Sequence, residues 1–210
     1  MAKRPRVPVP PLPAIRIAPT VYRQYRETIG AQPPETFALL GGSLDDPFLV
    51  TDYCFCPAQR SPDGGYDQSG THINIDHHFM NWVVDRQWAP AGKYMLGIWH
   101  SHPPGLTGPS AGDATKNTGD LVFFASCLAN DDSPERNWRY FLAPITTFDD
   151  DGADQVHGWL LKRGSKHAQS CSVVVDPFQT SPLDGLLDAP GPLTLHASIS
   201  PLVLTASRDD

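Results

Sequence analysis

The stretch Tyr94-Met-Leu-Gly-Ile-Trp-His100 constrains this chain more than any other part of it. Its nearly unbroken apolar run reads as a strand covered on both faces, the pattern of a central strand in a layered domain. Such a strand needs pairing partners at its edges and a packed layer above and below. Thr36–Leu40 and Phe48–Cys56 read as two partner strands, joined around Gly41-Gly42 and the Asp45-Asp46-Pro47 turn. Leu121–Leu128, Trp138–Ile145 and Gln155–Lys162 are expected as further buried strands, and Thr71–Ile75 alternates like a strand. A helix is expected from Pro19-Thr20 onward, with Val21, Tyr25 and Ile29 at helical spacing and Gly30 as its stop. A second helix follows Asp76, which can cap it, with Phe79, Met80, Val83, Val84 and Trp88 as its apolar stripe. The mixture predicts an α/β (α+β) three-layer sandwich, a mixed β-sheet flanked by helices.

A chain of 210 residues suits one domain plus some extra chain. Residues 1–19 carry six prolines and are expected to form a flexible leader. The domain then occupies 20–164, and 165–210 is expected as a partly irregular extension in which only Ser172–Val175 and Leu193–Leu195 are strand-like. The net charge of −7 disfavours a nucleic-acid or membrane-surface binder, because phosphate affinity rests on Lys and Arg. Four Cys are too few for a disulfide scaffold, and a reducing cytoplasm is the simpler expectation. Pro and Arg interrupt the N-terminal segment, so it does not read as a signal peptide, and the apolar run Leu121–Ala129 is too short to span a bilayer. The sequence therefore points to a soluble, cytoplasmic protein.

The chemistry concentrates where the central strand ends. His100 and His102 are two apart, which places both imidazoles on one face of the strand, about 6–7 Å apart along it. From that spacing they can converge on one metal ion. Ten residues separate His102 from Asp113, enough for a loop to return a carboxylate as third ligand. Two His and one Asp leave a tetrahedral ion one open position, the mark of a catalytic rather than a structural zinc site. Hydrolysis also needs a base that is not a ligand. Of three Glu, Glu27 lies on the first helix and Glu135 in a polar loop, whereas Glu35 directly precedes an apolar strand and can reach a buried site.

Together, Glu35, His100-Ser-His102-Pro103 and, six residues on, Ser110-Ala-Gly-Asp113 resemble the JAMM motif of the MPN-plus (JAB-domain) zinc metalloproteases. The resemblance is closest to the bacterial branch associated with ubiquitin-like conjugation systems, and in order of elements it runs from the first helix to Lys162. It implies an MPN/JAB-like fold in which His100, His102 and Asp113 hold one catalytic Zn2+. Glu35 would then be the general acid/base, and Ser110 would help stabilise the oxyanion. It further implies an isopeptidase or peptidase hydrolysing the amide after the C-terminal tail of a ubiquitin-like protein, in conjugates or precursors. E1- or E2-like enzymes would be further partners, and the 57–70 and 130–137 loops would be candidate holders of the substrate.

Other readings of the same residues stay open. The same site could cleave small or cell-wall peptides, or the domain could be a non-catalytic MPN scaffold. Ser110-x-x-Asp113 is also a capping box at a helix start. Gly108-Pro-Ser110-Ala-Gly112 fits the nucleophile elbow of serine hydrolases, with Asp120 or Asp149 and then His157 in suitable order, but Pro103–Gly108 cannot form the strand that elbow needs. His72, His77 and His78 form a second cluster, read as a strand end and a first helical turn in preference to a metal site or substrate contact. Cys54-Phe-Cys56 reads as core packing, since no second Cys pair faces it.

Overall fold

The computed structural model describes residues 13–31, 35–56, 58–60, 68–69, 72–113, 115, 118–130, 138–176 and 203–204. Its centre is a mixed sheet of seven strands. The Tyr94 run forms β7 (Tyr94–Ser101), flanked on one side by β2 (Phe37–Gly42) and then β4 (Asp52–Cys56). On its other side β8 (Tyr140–Leu142) and β9 (Ile145–Phe148) both pair with it in parallel, and β10 (Asp154–Lys162) and β11 (Gln169–Cys171) complete the sheet. β8 and β9 are two halves of one strand position, interrupted at Ala143-Pro144, where proline has no N–H to give a ladder.

A bulge sets which β7 side chains face which layer. Leu40 pairs with Gly97 and Gly41 with Met95, so Leu96 is an extra residue. Leu96 consequently joins Trp99 on one face, while Ile98 packs on the other. The first face is covered by helix α1 (Pro19–Glu27) and by a second sheet. That sheet contains β1 (Ile15–Ile17), β3 (Leu49–Val50), β12 (Val173–Val175) and β13 (Val203–Leu204), while β5 (Gln68–Ser69) and β6 (His72–Ile73) form a separate two-stranded ladder. Here Tyr25 of α1 stacks on Trp99 with ring centroids 3.9 Å apart, and Trp99 Nε1 donates to Thr146 Oγ1 at 2.9 Å. The opposite face is covered by α2 (His77–Trp82), which continues as a wider turn through Trp88, and by α3 (Asp120–Ala129).

Several sequence expectations need correction. Leu121–Leu128 is helix, not strand: Phe124 and Leu128, four apart, are its buried residues, and a short apolar run has no period that separates the two conformations. Phe48–Cys56 is divided at Thr51, its first part pairing with β1 and its second with β2, so one apolar run serves two sheets. The N-terminal leader ends earlier than residue 19, because Ile15 and Ile17 are fully buried in β1. The domain likewise extends past residue 164, since 169–171 pairs with β10 and 173–175 with β1. Leu193–Leu195 and most of the 57–70 and 130–137 loops lie outside the described residues. Among the described residues, no helix is long and apolar enough to cross a membrane.

Gly97 is fixed by contact with the neighbouring strand. A Cβ at this position would stand 1.8 Å from the Leu142 carbonyl oxygen, so any side chain must force β7 and β8 apart. Gly97→Ala is expected to destabilise the domain by about 3 kcal/mol, the upper end of ordinary overpacking. For a domain of this size that lowers the midpoint of thermal unfolding by roughly 6–12 °C. An unchanged melting temperature would show that the sheet can open at this point without cost.

Candidate metal centre

The sheet delivers both histidines to the face that carries α2 and α3. His100 N donates to the Pro144 carbonyl at 3.3 Å and His102 N to the Thr146 carbonyl at 2.8 Å, so the end of β7 stays anchored to the β9 side. Both imidazoles are buried, and their Nε2 atoms lie 2.9 Å apart. His102 Nδ1 donates to the Leu106 carbonyl at 2.9 Å, a bond that fixes the tautomer and leaves its Nε2 lone pair pointing into the site.

The carboxylate that meets them is Asp120, not Asp113. Asp120 Oδ1 is 3.5 Å from His100 Nε2, and Oδ2 is 3.2 Å from His102 Nε2. These three residues form the cluster able to hold a metal ion among the described residues. A tetrahedral ion with bonds of 2.0–2.1 Å holds its ligand atoms about 3.3 Å apart, so the spacings of 2.9, 3.2 and 3.5 Å fit such an ion. Burial alone would raise the Asp120 pKa, but hydrogen bonds and charge from His100 and His102 outweigh it and hold the carboxyl well below the usual range. Burial likewise lowers that of His102, and the facing Asp120 carboxylate more than reverses this.

Asp113 lies elsewhere for a local reason. Its Oδ1 accepts from Thr115 N and Oγ1, and its backbone pairs with Thr118 through two hydrogen bonds. That pairing closes an excursion at its two ends, Asp113 and Thr118. Gly112 and Gly119 both take positive φ and pack back to back, a Cβ on Gly119 falling 2.3 Å from the Gly112 Cα. The capping box expected at Ser110-x-x-Asp113 does not form, because no helix starts there; Ser110 instead bonds the start of α3, seven residues past Asp113, whose N-cap is Gly119. Ser110 Oγ accepts from Asp120 N at 2.9 Å, the Ser110 carbonyl accepts from Leu121 N, and Ser110 N donates to Asp120 Oδ2 at 2.7 Å. The first-turn position also suits a carboxylate, since the helix N-terminus is electropositive.

A cavity of about 1330 Å³ opens over this group, between α2, α3 and the sheet. Glu35 and Ser110 line it beside His100, His102 and Asp120. Of the sequence-derived residues, the structure thus gathers Glu35, His100, His102 and Ser110 around one space and leaves Asp113 out. Its walls mix apolar side chains such as Ile75, Met80, Ile98 and Phe123 with polar ones such as Asn74, Asn81 and Ser126. His77 also reaches these walls, its ring 6.1 Å from that of Phe123, whereas the His72 side chain is outside the described residues. Cys56 is buried and donates to the Cys54 carbonyl, as core packing requires. The elbow reading finds no support: Ser110 follows a loop, and His157 Nε2 pairs with Thr147 Oγ1.

The sequence profile of the prokaryotic homologs of the JAB domain matches residues 18–141, more than half of the chain. This protein belongs to the prokaryotic JAB-domain family. The family includes JAMM metalloproteases, and the His100–His102–Asp120 group of this JAB domain is compatible with their metal centre. The solution structure of a protein from Desulfitobacterium hafniense is similar to this JAB protein at 19% identity. It covers 77% of this chain and 92% of that one, with a TM-score of 0.46. One from Salinibacter ruber covers the same shares at 18% identity and a TM-score of 0.43. No curated protein matches the JAB chain.

Proposed function

We propose that this protein is a zinc-dependent amide hydrolase acting on the peptide or isopeptide bond after the C-terminal tail of a ubiquitin-like protein. The observation that carries the reading is the convergence of His100, His102 and Asp120 at metal-ligand spacing in the cavity that Glu35 also lines. His100 Nε2, His102 Nε2 and the Asp120 carboxylate would hold the ion. Once bound, zinc supplies Lewis acidity, making water easier to ionise near neutral pH and polarising an amide carbonyl.

The remaining work falls to the protein's own groups. Glu35, a carboxylate beside the cluster and not part of it, takes a proton from the attacking water and returns it to the departing amine. Ser110 Oγ has one lone pair engaged by the Asp120 amide, which leaves its proton free to turn toward the developing oxyanion. The His102 Nδ1 bond to Leu106 keeps that ring from rotating during the cycle. The ubiquitin-like substrate rests on the JAMM resemblance.

Purified protein is expected to carry one zinc per chain and to cleave a fluorogenic amide on the C-terminus of a ubiquitin-like protein. Chelation should abolish that activity and added zinc should restore it. Activity that survives chelation, or protein that takes up no zinc, would overturn the reading. Cleavage of short peptides but no ubiquitin-like fusion would keep the zinc chemistry and reject the substrate.

A further inference from the structure

We infer that Ser101, the residue between the two histidines, is a positioning residue that holds Glu35 in register with the metal centre; the inference rests on the hydrolase reading above. Alternation along β7 sends His100 and His102 to the cavity face and Ser101 to the opposite one. There Ser101, with no solvent exposure, meets Thr36, which is also buried.

Between β2 and β7 the regular register ends at Phe37 opposite His100, so Thr36 and Ser101 are the next pair. Ser101 N donates to the Thr36 carbonyl at 2.9 Å, as in an ordinary ladder. Thr36 N, however, donates to the Ser101 side chain, with Oγ at 3.0 Å. The two hydroxyls add a further bond, Thr36 Oγ1 to Ser101 Oγ at 3.0 Å. A side chain has thus taken a main-chain role at the last residue before Glu35. The same alternation that turns Thr36 toward Ser101 turns Glu35 toward the cavity, where it is found. The ligand strand and the acid/base residue are thereby fixed to one another by a clamp on the face away from the chemistry.

Removing the Ser101 hydroxyl leaves the Thr36 N–H buried without its acceptor, a condition the chain relieves by shifting Thr36 toward water. Glu35 must shift with it, and a displacement near 1 Å in a proton-transfer group lowers turnover by about 100-fold. The histidines keep their anchors to Pro144 and Thr146, so metal binding stays.

The test is Ser101→Ala in the zinc-loaded full chain, with kcat, KM and zinc content measured beside amide hydrogen exchange by NMR. The expected result is a 10- to 100-fold lower kcat at unchanged KM and zinc content. Exchange of the Thr36 amide should accelerate at least about tenfold while that of Leu39 holds, as the loss of one buried hydrogen bond implies. Unchanged Thr36 exchange, or unchanged kcat despite faster exchange, would overturn the inference. If S101A does not fold, Thr36→Val removes only the hydroxyl half of the clamp; a several-fold lower kcat with zinc intact supports it, and wild-type kcat overturns it. Wild-type protein that holds zinc yet cleaves no amide would sink the hydrolase reading instead, and Thr36 exchange in S101A would still decide whether the clamp exists.

Discussion

Asp120→Ala is expected to strip the protein of its metal, while Asp113→Asn leaves metal and activity in place. Loss of a hydrogen-bonding partner behind a metal ligand already costs about 10- to 100-fold in affinity, and loss of the ligand itself must exceed that. Zinc affinity of D120A should therefore fall by more than about 100-fold, with activity falling in parallel. The variant also loses the Ser110 N–H acceptor, whereas Ser110 Oγ and its carbonyl still take the first two amides of α3, so the helix start persists. Asp113→Asn keeps an acceptor oxygen for Thr115 and leaves the closed excursion intact. Metal analysis with circular dichroism on both variants checks the pair. Zinc lost from D113N and kept by D120A would mean that the helix start and the excursion exchange roles when the ion binds.

Glu35→Gln is expected to lower kcat by about 10²- to 10⁴-fold, the range over which one positioned acid/base contributes. Glutamine matches the side chain in size and can accept a hydrogen bond, but it cannot take up a proton at neutral pH. Zinc content should stay at the wild-type level, because the cluster is complete without Glu35. Single-turnover kinetics on zinc-loaded E35Q would measure the loss. Full activity would place the base on another residue, and loss of zinc would make Glu35 a ligand.

How much could be read in advance differs along the chain. The strand ending in His100 was legible because two-sided burial leaves an apolar run that few other structures explain, and period-two geometry then fixes both imidazoles on one face. Asp76 was legible as a cap, and its carboxylate accepts from Phe79 N at 3.0 Å. Asp113 was not, and the cause is traceable. Ser110-Ala-Gly-Asp113 has the spacing of a capping box, but spacing along a chain does not reveal that Gly112 and Gly119 take positive φ and that 113 pairs with 118. A usable signal stood nearby: Gly119-Asp120 opens the apolar Leu121–Leu128 run, the pattern of an acidic first turn. Taking that run for a strand concealed it.

Local preference determined which segments are buried, that two imidazoles share a face, and that a glutamate precedes a neighbouring strand. Those features arise within a few residues, where periodicity and backbone geometry act directly. Pairing over longer distances was decided only in three dimensions. Which carboxylate reaches the histidines depends on a closed excursion and a helix start bonded from ten residues away, and the hold on Glu35 depends on two hydroxyls 65 positions apart. Contacts of this kind are set by how whole strands and helices pack, so their energies belong to the assembled fold and to no stretch of sequence alone.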